Sequence, residues 1–311
     1  MSVFKPRDVS RRRFLGGGLA ALGAAPIFPH ISLAATGEAI HALAFDGDTL
    51  VAATEAGLRR LLSGTARQLP FASRITALAS HPKREGTLLA ALEGGGLRRS
   101  LDGGLTWAEA GAGLPAAPIT ALTVAALDPD MIYAAIRGDG LWRSEDSGES
   151  WHFVMDRPYL EGTEHDVLSL VSVASPSGMG GIWLYAGTKA GLTRVPDCFC
   201  RWQDVTAGDA MDALAAGKSP PPAAPLPLGE PIANLALAPD APQRLYAGLA
   251  SGLWVSTDAG VNWAQASPGA TEALAVDPAD PLHLVAARES GLSVSRDGGA
   301  TWTRSTPFKD S

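Results

Sequence analysis

Ser100-Leu-Asp102-Gly-Gly104-Leu-Thr106-Trp107 is one of four copies of a single pattern, S-x-D-x-G-x-[TSN]-W; the others occupy residues 144–151, 256–263 and 295–302. A fixed pattern recurring through a chain of 311 residues predicts an array of small equivalent units. The residue types follow from turn chemistry. The side chains of Asp102, Asp146, Asp258 and Asp297 accept hydrogen bonds from main-chain N–H groups a few residues on, and the following Gly supplies a positive φ at no steric cost. Trp107, Trp151, Trp263 and Trp302 then open the next strand, where a large aromatic surface packs between neighbouring sheets.

The repeating unit extends beyond this box. Each begins with an I-x-A-L-like strand, passes a turn often built on Asp-Pro or His-Pro, continues as an apolar strand and reaches a Gly-Leu pair before the box. Aligning on Gly-Leu finds six units, at Gly57, Gly96, Gly140, Gly191, Gly252 and Gly291, with first strands starting near Ile40, Ile75, Ile119, Val167, Ile232 and Thr271. The first unit lacks a box, and the fourth keeps only Asp197 and Trp202 of it. Four short strands per unit, joined by Gly and Pro turns, predict an all-β fold: a six-bladed β-propeller of four-stranded antiparallel blades, one domain over residues 38–307. A seventh blade would need strands from the terminal segments, and no seventh Gly-Leu pair exists.

The box resembles the Asp box, or bacterial neuraminidase repeat, of sialidases, sortilin-type receptors and photosystem II assembly propellers. That resemblance implies a sialidase-like propeller scaffold, with no functional motif that transfers residue by residue. The sialidase chemistry itself is not supported. Those enzymes carry an early Arg-Ile-Pro motif, and the nearest stretch here is Arg74-Ile75-Thr76. They also use a Tyr nucleophile, yet Tyr133, Tyr185 and Tyr246 share one repeating strand position and read as packing residues. Only Tyr159 is free of the repeat.

The N-terminus reads separately. Ser10-Arg11-Arg12-Arg13-Phe14-Leu15-Gly16, a weakly apolar stretch and Ser32-Leu33-Ala34 resemble a twin-arginine export signal over residues 1–34 with a small-residue cleavage site. The expected localisation is periplasmic, with the twin-arginine translocase as the partner during export and no membrane span after cleavage. Loss of this segment removes five basic groups and one acidic group, taking the net charge from −7 to about −11. So acidic a domain is a poor match for nucleic acid or anionic lipid.

Cys198 and Cys200 are the two cysteines of the chain. A C-x-C pair permits a plain turn or local disulfide, a redox-active pair, or part of a metal site, although a structural zinc site needs four ligands. No cofactor is predicted, and these two are weak metal candidates.

Propeller geometry sorts the loops. With strands a to d running outward from the axis, the boxes are c–d turns and share a face with the a–b turns; the resemblance to Asp-box propellers implies that this face carries no active site, which directs the search for function to the other face. Two insertions break the repeat there, at 155–166 and 205–231. The first gathers Asp156, Arg157, Tyr159, Glu161, Glu164, His165 and Asp166, and neighbouring b–c loops add Arg137 and Lys189. Together these suggest a polar pocket for an anionic or sugar-like ligand, or else a solvated loop; a hydrolase would draw on Tyr159, Glu161, Asp166 and Arg157. His165 beside carboxylates is a weaker metal candidate. The second insertion, rich in proline, reads as a flap or linker.

Four further positions stand out. Trp142 and Trp254 occupy a place that is Arg59, Arg98, Thr193 or Ser293 in other units, which makes them candidates for contact with a partner. His41 and Glu272 hold equivalent positions on the a strands of units 1 and 6, neighbours once the ring closes, and are expected to form a pair near the channel mouth. The function expected from all this is an exported binding, scaffold or assembly factor for a protein partner or small polar ligand. The alternatives are a divergent glycoside hydrolase and an accessory protein of a periplasmic metal or redox enzyme.

Overall fold

The computed structural model describes residues 39–62, 65–175, 181–205, 217–218, 224–305 and 309–310. The export-like segment 1–34 and much of the insertion 205–231 lie outside the described residues. Among the described residues there is no helix, and the strands form a six-bladed propeller. Blade 1 comprises Ile40–Asp46, Thr49–Thr54, Gly57–Leu62 and Thr65–Gln68, and blade 2 comprises Ile75–Ser80, Leu88–Leu92, Leu97–Ser100 and Ala108–Glu109. Blade 3 is Ile119–Val124, Ile132–Ile136, Gly140–Ser144 and His152–Asp156; blade 4 is Ser169–Ala174, Ile182–Gly187, Leu192–Pro196 and Gln203–Asp204. Blade 5 is Asn234–Ala236, Leu245–Gly248, Gly252–Ser256 and Ala264–Pro268; blade 6 is Thr271–Asp277, Asp280–Arg288, Gly291–Ser295 and Thr303–Arg304.

Every blade is an antiparallel a–b–c–d meander built from consecutive sequence. The six a strands touch in cyclic order, with blade 6 against blade 1, and no blade borrows one of its four meander strands from another part of the chain. Closure rests first on side-chain packing. Six apolar clusters fill the six interfaces between neighbouring blades. At the closing interface Phe45, Leu50 and Ala52 of blade 1 meet Ala275, Val285 and Leu292 of blade 6, each large apolar side chain contributing about 1.5–3 kcal/mol on burial. The C-terminal Lys309–Asp310 also adds in parallel to the outer strand of blade 1.

Around the channel, polar side chains on the a strands bond the main chain of the next blade. Thr76 Oγ1 donates to Ile119 O at 2.7 Å, Thr120 Oγ1 to Val167 O at 2.6 Å, Ser169 Oγ to Ile232 O at 2.7 Å and Asn234 Nδ2 to Thr271 O at 3.2 Å. His41 and Glu272 stand where this series reaches blades 1 and 6. They do not pair as the repeat alignment predicts. His41 Nε2 bonds Glu55 Oε1 of its own blade at 2.8 Å, and Glu55 also receives Arg74 at 2.9 Å. A b–c turn one strand away lies closer to His41 than the neighbouring blade's side chain does.

The boxes behave as their composition predicts. In blade 2, Asp102 Oδ1 accepts the N–H groups of Leu105 and Thr106 at 3.0 and 2.8 Å, and Oδ2 accepts the Thr106 hydroxyl at 2.6 Å. Ser100 Oγ donates to the same carboxylate at 2.8 Å and accepts Gly104 N–H at 2.7 Å. The Thr106 hydroxyl bond is the main reason that the Asp102 pKa falls to about 2; Thr301 does the same for Asp297, also to about 2. The residue directly after each box Asp also ties the box to its own a–b turn: Gly103, Ser147, Ala259 and Gly298 donate N–H bonds to the carbonyl oxygens of Gly86, Asp130, Gln243 and Leu282 at 2.8–3.0 Å. This places the boxes and the a–b turns on one face. In blade 4 the missing box bonds are replaced by a bond from Tyr133 of blade 3, whose hydroxyl donates to Asp197 Oδ1 at 2.8 Å.

The position directly after the box Asp is left-handed in every box, and two boxes hold a residue with a β-carbon there, Ser147 at φ 61° and Ala259 at φ 58°. Glycine takes this conformation without the clash. Ala259→Gly is therefore expected to stabilise the fold by about 0.5–1 kcal/mol, read as a higher urea midpoint with an unchanged slope; an unchanged or lower midpoint counts against this reading of the turn.

Candidate functional site

A cleft of about 360 Å³ opens between blades 2 and 3. Two a–b turns and one box build it. The blade 2 turn supplies His81, Arg84 and Thr87, the blade 3 turn supplies Pro129 and Asp130, and the blade 3 box supplies Glu145, Ser147 and Glu149. Leu89, Val124 and Ile132 form an apolar floor, and Leu101, 65% exposed, stands at the rim.

Each wall is locally explained. His81 takes the place of Asp in the Asp-Pro turn, and its ring does the work of a carboxylate: Nδ1 accepts the N–H groups of Lys83 and Arg84 at 3.0 and 2.9 Å. Accepting at Nδ1 leaves the proton on Nε2, which has no partner. Burial, followed by the Arg84 charge, lowers the His81 pKa. Asp130 accepts the Ser147 hydroxyl at 2.7 Å and the Arg84 guanidinium at 2.5 Å, and these two bonds lower its pKa. Arg99 donates to Ser147 O at 2.6 Å and sits 3.7 Å from Glu149. The cleft thus has a small apolar floor between polar walls that carry ion pairs.

The His81 geometry carries a pH prediction. Its pKa is below the unfolded value of 6.5, so the stability it contributes is complete above pH 6.5 and declines as pH falls toward the lower folded value. His81→Asp keeps an acceptor for the same two N–H groups and removes that titration. The variant's melting temperature is expected to gain on wild type between pH 7.5 and pH 5; parallel profiles would rule out the acceptor role.

The residues singled out from the sequence lie mostly elsewhere. Of the expected insertion 155–166, Met155 and Asp156 belong to the outer strand of blade 3, and the rest folds onto itself: Tyr159–Leu160 pairs with Thr163–Glu164 as a hairpin through Glu161 and Gly162, both at positive φ. Arg157 is held by Glu164 and Asp166, and Asp166 accepts Gly138 N–H at 2.9 Å. His165 donates to Leu160 O at 3.2 Å, and Tyr159, 67% exposed, donates to Gly162 O at 2.8 Å. The segment is a self-contained hairpin rather than a pocket wall. Arg137 and Lys189 are exposed on their b–c turns.

Trp142 and Trp254 are half-buried, their N–H groups bonded to Asp139 and Ser251. Trp142 also packs edge-on to Phe153 at 5.9 Å. Tyr133, Tyr185 and Tyr246 are buried, each against the next blade, as their shared strand position predicts. Sequence reasoning missed the cleft because it searched the face opposite the boxes. The available signal was Lys83-Arg84, a basic pair in the a–b turn of an acidic chain.

Cys198 and Cys200 are joined as a disulfide across one intervening residue. A ring this small restricts the unfolded chain by only about 1.5–2 kcal/mol, against nearly 5 for a 100-residue loop. Among the described residues no group of three or more His, Cys, Asp or Glu side chains is placed to hold a metal ion.

The sequence matches no protein-family model and no curated protein. Solved structures do resemble the fold. A GH74 xyloglucanase from Xanthomonas campestris is 22% identical with TM-score 0.52, over 84% of this chain and 45% of that one. The extracellular domain of a protein described as a hybrid two-component system from B. thetaiotaomicron is 13% identical with TM-score 0.55, over 89% and 34%. YCF48 bound to D1 peptide is 17% identical with TM-score 0.50, over 88% and 83%. This chain spans less than half the length of the first two. At these identities the likeness is one of fold: an all-β, six-bladed propeller.

Proposed function

We propose that the chain is an exported Asp-box propeller that binds a protein partner as a scaffold or assembly factor, gripping an extended segment in the cleft between blades 2 and 3. The observation that carries this reading is the cleft itself, about 360 Å³ with an apolar floor bordered by Arg84–Asp130 and Arg99–Glu149 pairs. The peptide-bound YCF48 structure supports it, since that comparison covers most of both chains. Affinity capture of the exported protein with its native partners is expected to recover a stoichiometric protein. Recovery of the propeller alone, with binding of a soluble sugar or other small ligand in its place, would refute the reading.

The GH74 likeness favours a second reading, a glycoside hydrolase. Against it stands the state of the carboxylates: a general acid needs a raised pKa, whereas Asp130 and Asp146 in the cleft are both lowered by hydrogen bonds. Release of reducing ends from glucan polymers by the purified protein would reinstate it.

Export is proposed from residues 10–16. Arg11→Lys with Arg12→Lys keeps the charge but removes both planar guanidinium groups, and it is expected to leave the protein in the cytoplasmic fraction. Unchanged periplasmic yield would remove the twin-arginine assignment.

A further inference from the structure

The disulfide sits in a setting that gives it no work in holding the fold. It closes on itself at the c–d turn of blade 4, where the other boxes use an Asp and a Ser. The strands on either side are held by their own ladder, with Thr193 opposite Asp204 and Arg194 opposite Gln203. Phe199 between the sulfurs is fixed independently: its N–H donates to Pro196 O at 2.8 Å, its ring lies 6.1 Å from Tyr133, and the Arg143 guanidinium stands 5.6 Å over it. Both cysteines are exposed. The spacer is thus pinned to blade 3 while the S–S bond is presented to solvent, open to an approaching thiolate.

Phe199 also holds φ 51°, a left-handed conformation that disfavours any residue with a β-carbon. No other cysteine exists in the chain, so the reduced pair has only itself to re-form with.

We propose that Cys198–Cys200 is a thiol–disulfide exchange site that accepts two electrons from a protein dithiol. A thiolate of the dithiol attacks Sγ of one cysteine, forming a mixed disulfide while the other cysteine leaves as a thiolate. The second thiolate of the dithiol then attacks its own mixed-disulfide sulfur and releases the first cysteine. The partner ends as a disulfide, and Cys198 and Cys200 end as thiols after taking up the two protons that the partner released. Exposed disulfides of this kind are the labile ones, and structural disulfides resist the glutathione pool.

The test uses the full chain equilibrated across glutathione buffers from fully reduced to fully oxidised, quenched, alkylated and read by mass spectrometry. A two-electron transition within the glutathione range is expected, with the reduced form still melting cooperatively and no more than about 4 °C below the oxidised one. Cys198→Ser is expected to carry one glutathione on Cys200. A reduced peptide containing Cys-x-x-Cys, added to the oxidised protein, is expected to become oxidised as both protein thiols appear. A bond that stays closed at every ratio, opens only with loss of cooperative melting, or fails to oxidise the peptide would overturn the proposal.

Discussion

Trp151→Ala is expected to lower the unfolding free energy by about 3–5 kcal/mol. Trp151 is 4% exposed and fills the wedge between blades 2 and 3 among Leu97, Ile119 and Ile132. Its N–H donates to Ala110 O at 2.7 Å, so truncation leaves both a cavity and a buried carbonyl without its partner. The effect reaches beyond one blade, because the wedge is shared by blades 2 and 3. Chemical denaturation read by fluorescence checks the size. The same change at Trp107, half-buried at the blade 1 and 2 interface, is expected to cost less. Equal losses at the two sites would mean that the box tryptophans act through the turn and not through the wedge.

Arg60→Met is the second large effect, at about 3–5 kcal/mol. The Asp46 side chain is 1% exposed and paired with Arg60, whose guanidinium also donates to Gly103 O of the blade 2 box at 2.9 Å. Asp46 further accepts Gly86 N–H at 2.6 Å, so three turns from two blades converge on one buried carboxylate. Removing the cation strands that charge. Adding Asp46→Asn to Arg60→Met neutralises it while keeping an acceptor for Gly86, and the double variant is expected to regain at least half of the loss. A single variant within about 1 kcal/mol of wild type would contradict the account of this pair.

The fold was legible because its determinants are local and repeated. Six Gly-Leu pairs and four boxes fix strand spacing, and the turn bonds of Asp102 to Thr106 recur with the same atoms in the other copies. Tyr133, Tyr185 and Tyr246 could be set aside as packing residues for the same reason. The site was not legible, because it is a product of juxtaposition. Arg84 and Asp130 are 46 residues apart, and nothing in their spacing announces a 2.5 Å contact. The rule that sent the search away from the boxes overlooked that box positions outside the pattern, Glu145 and Glu149, are free to vary and line the cleft. His41 and Glu272 show the limit of repeat alignment: equivalent backbone positions do not choose the side-chain partner.

The central claim, that a protein partner occupies the cleft, is tested most directly by a photoreactive amino acid placed at Leu101 in the exported protein. Leu101 stands at the cleft rim, and Leu228, 85% exposed and outside the cleft, is the matched control. The account predicts one discrete covalent adduct with another protein from position 101 and none from 228. No adduct from 101, or the same adducts from both positions, would contradict it.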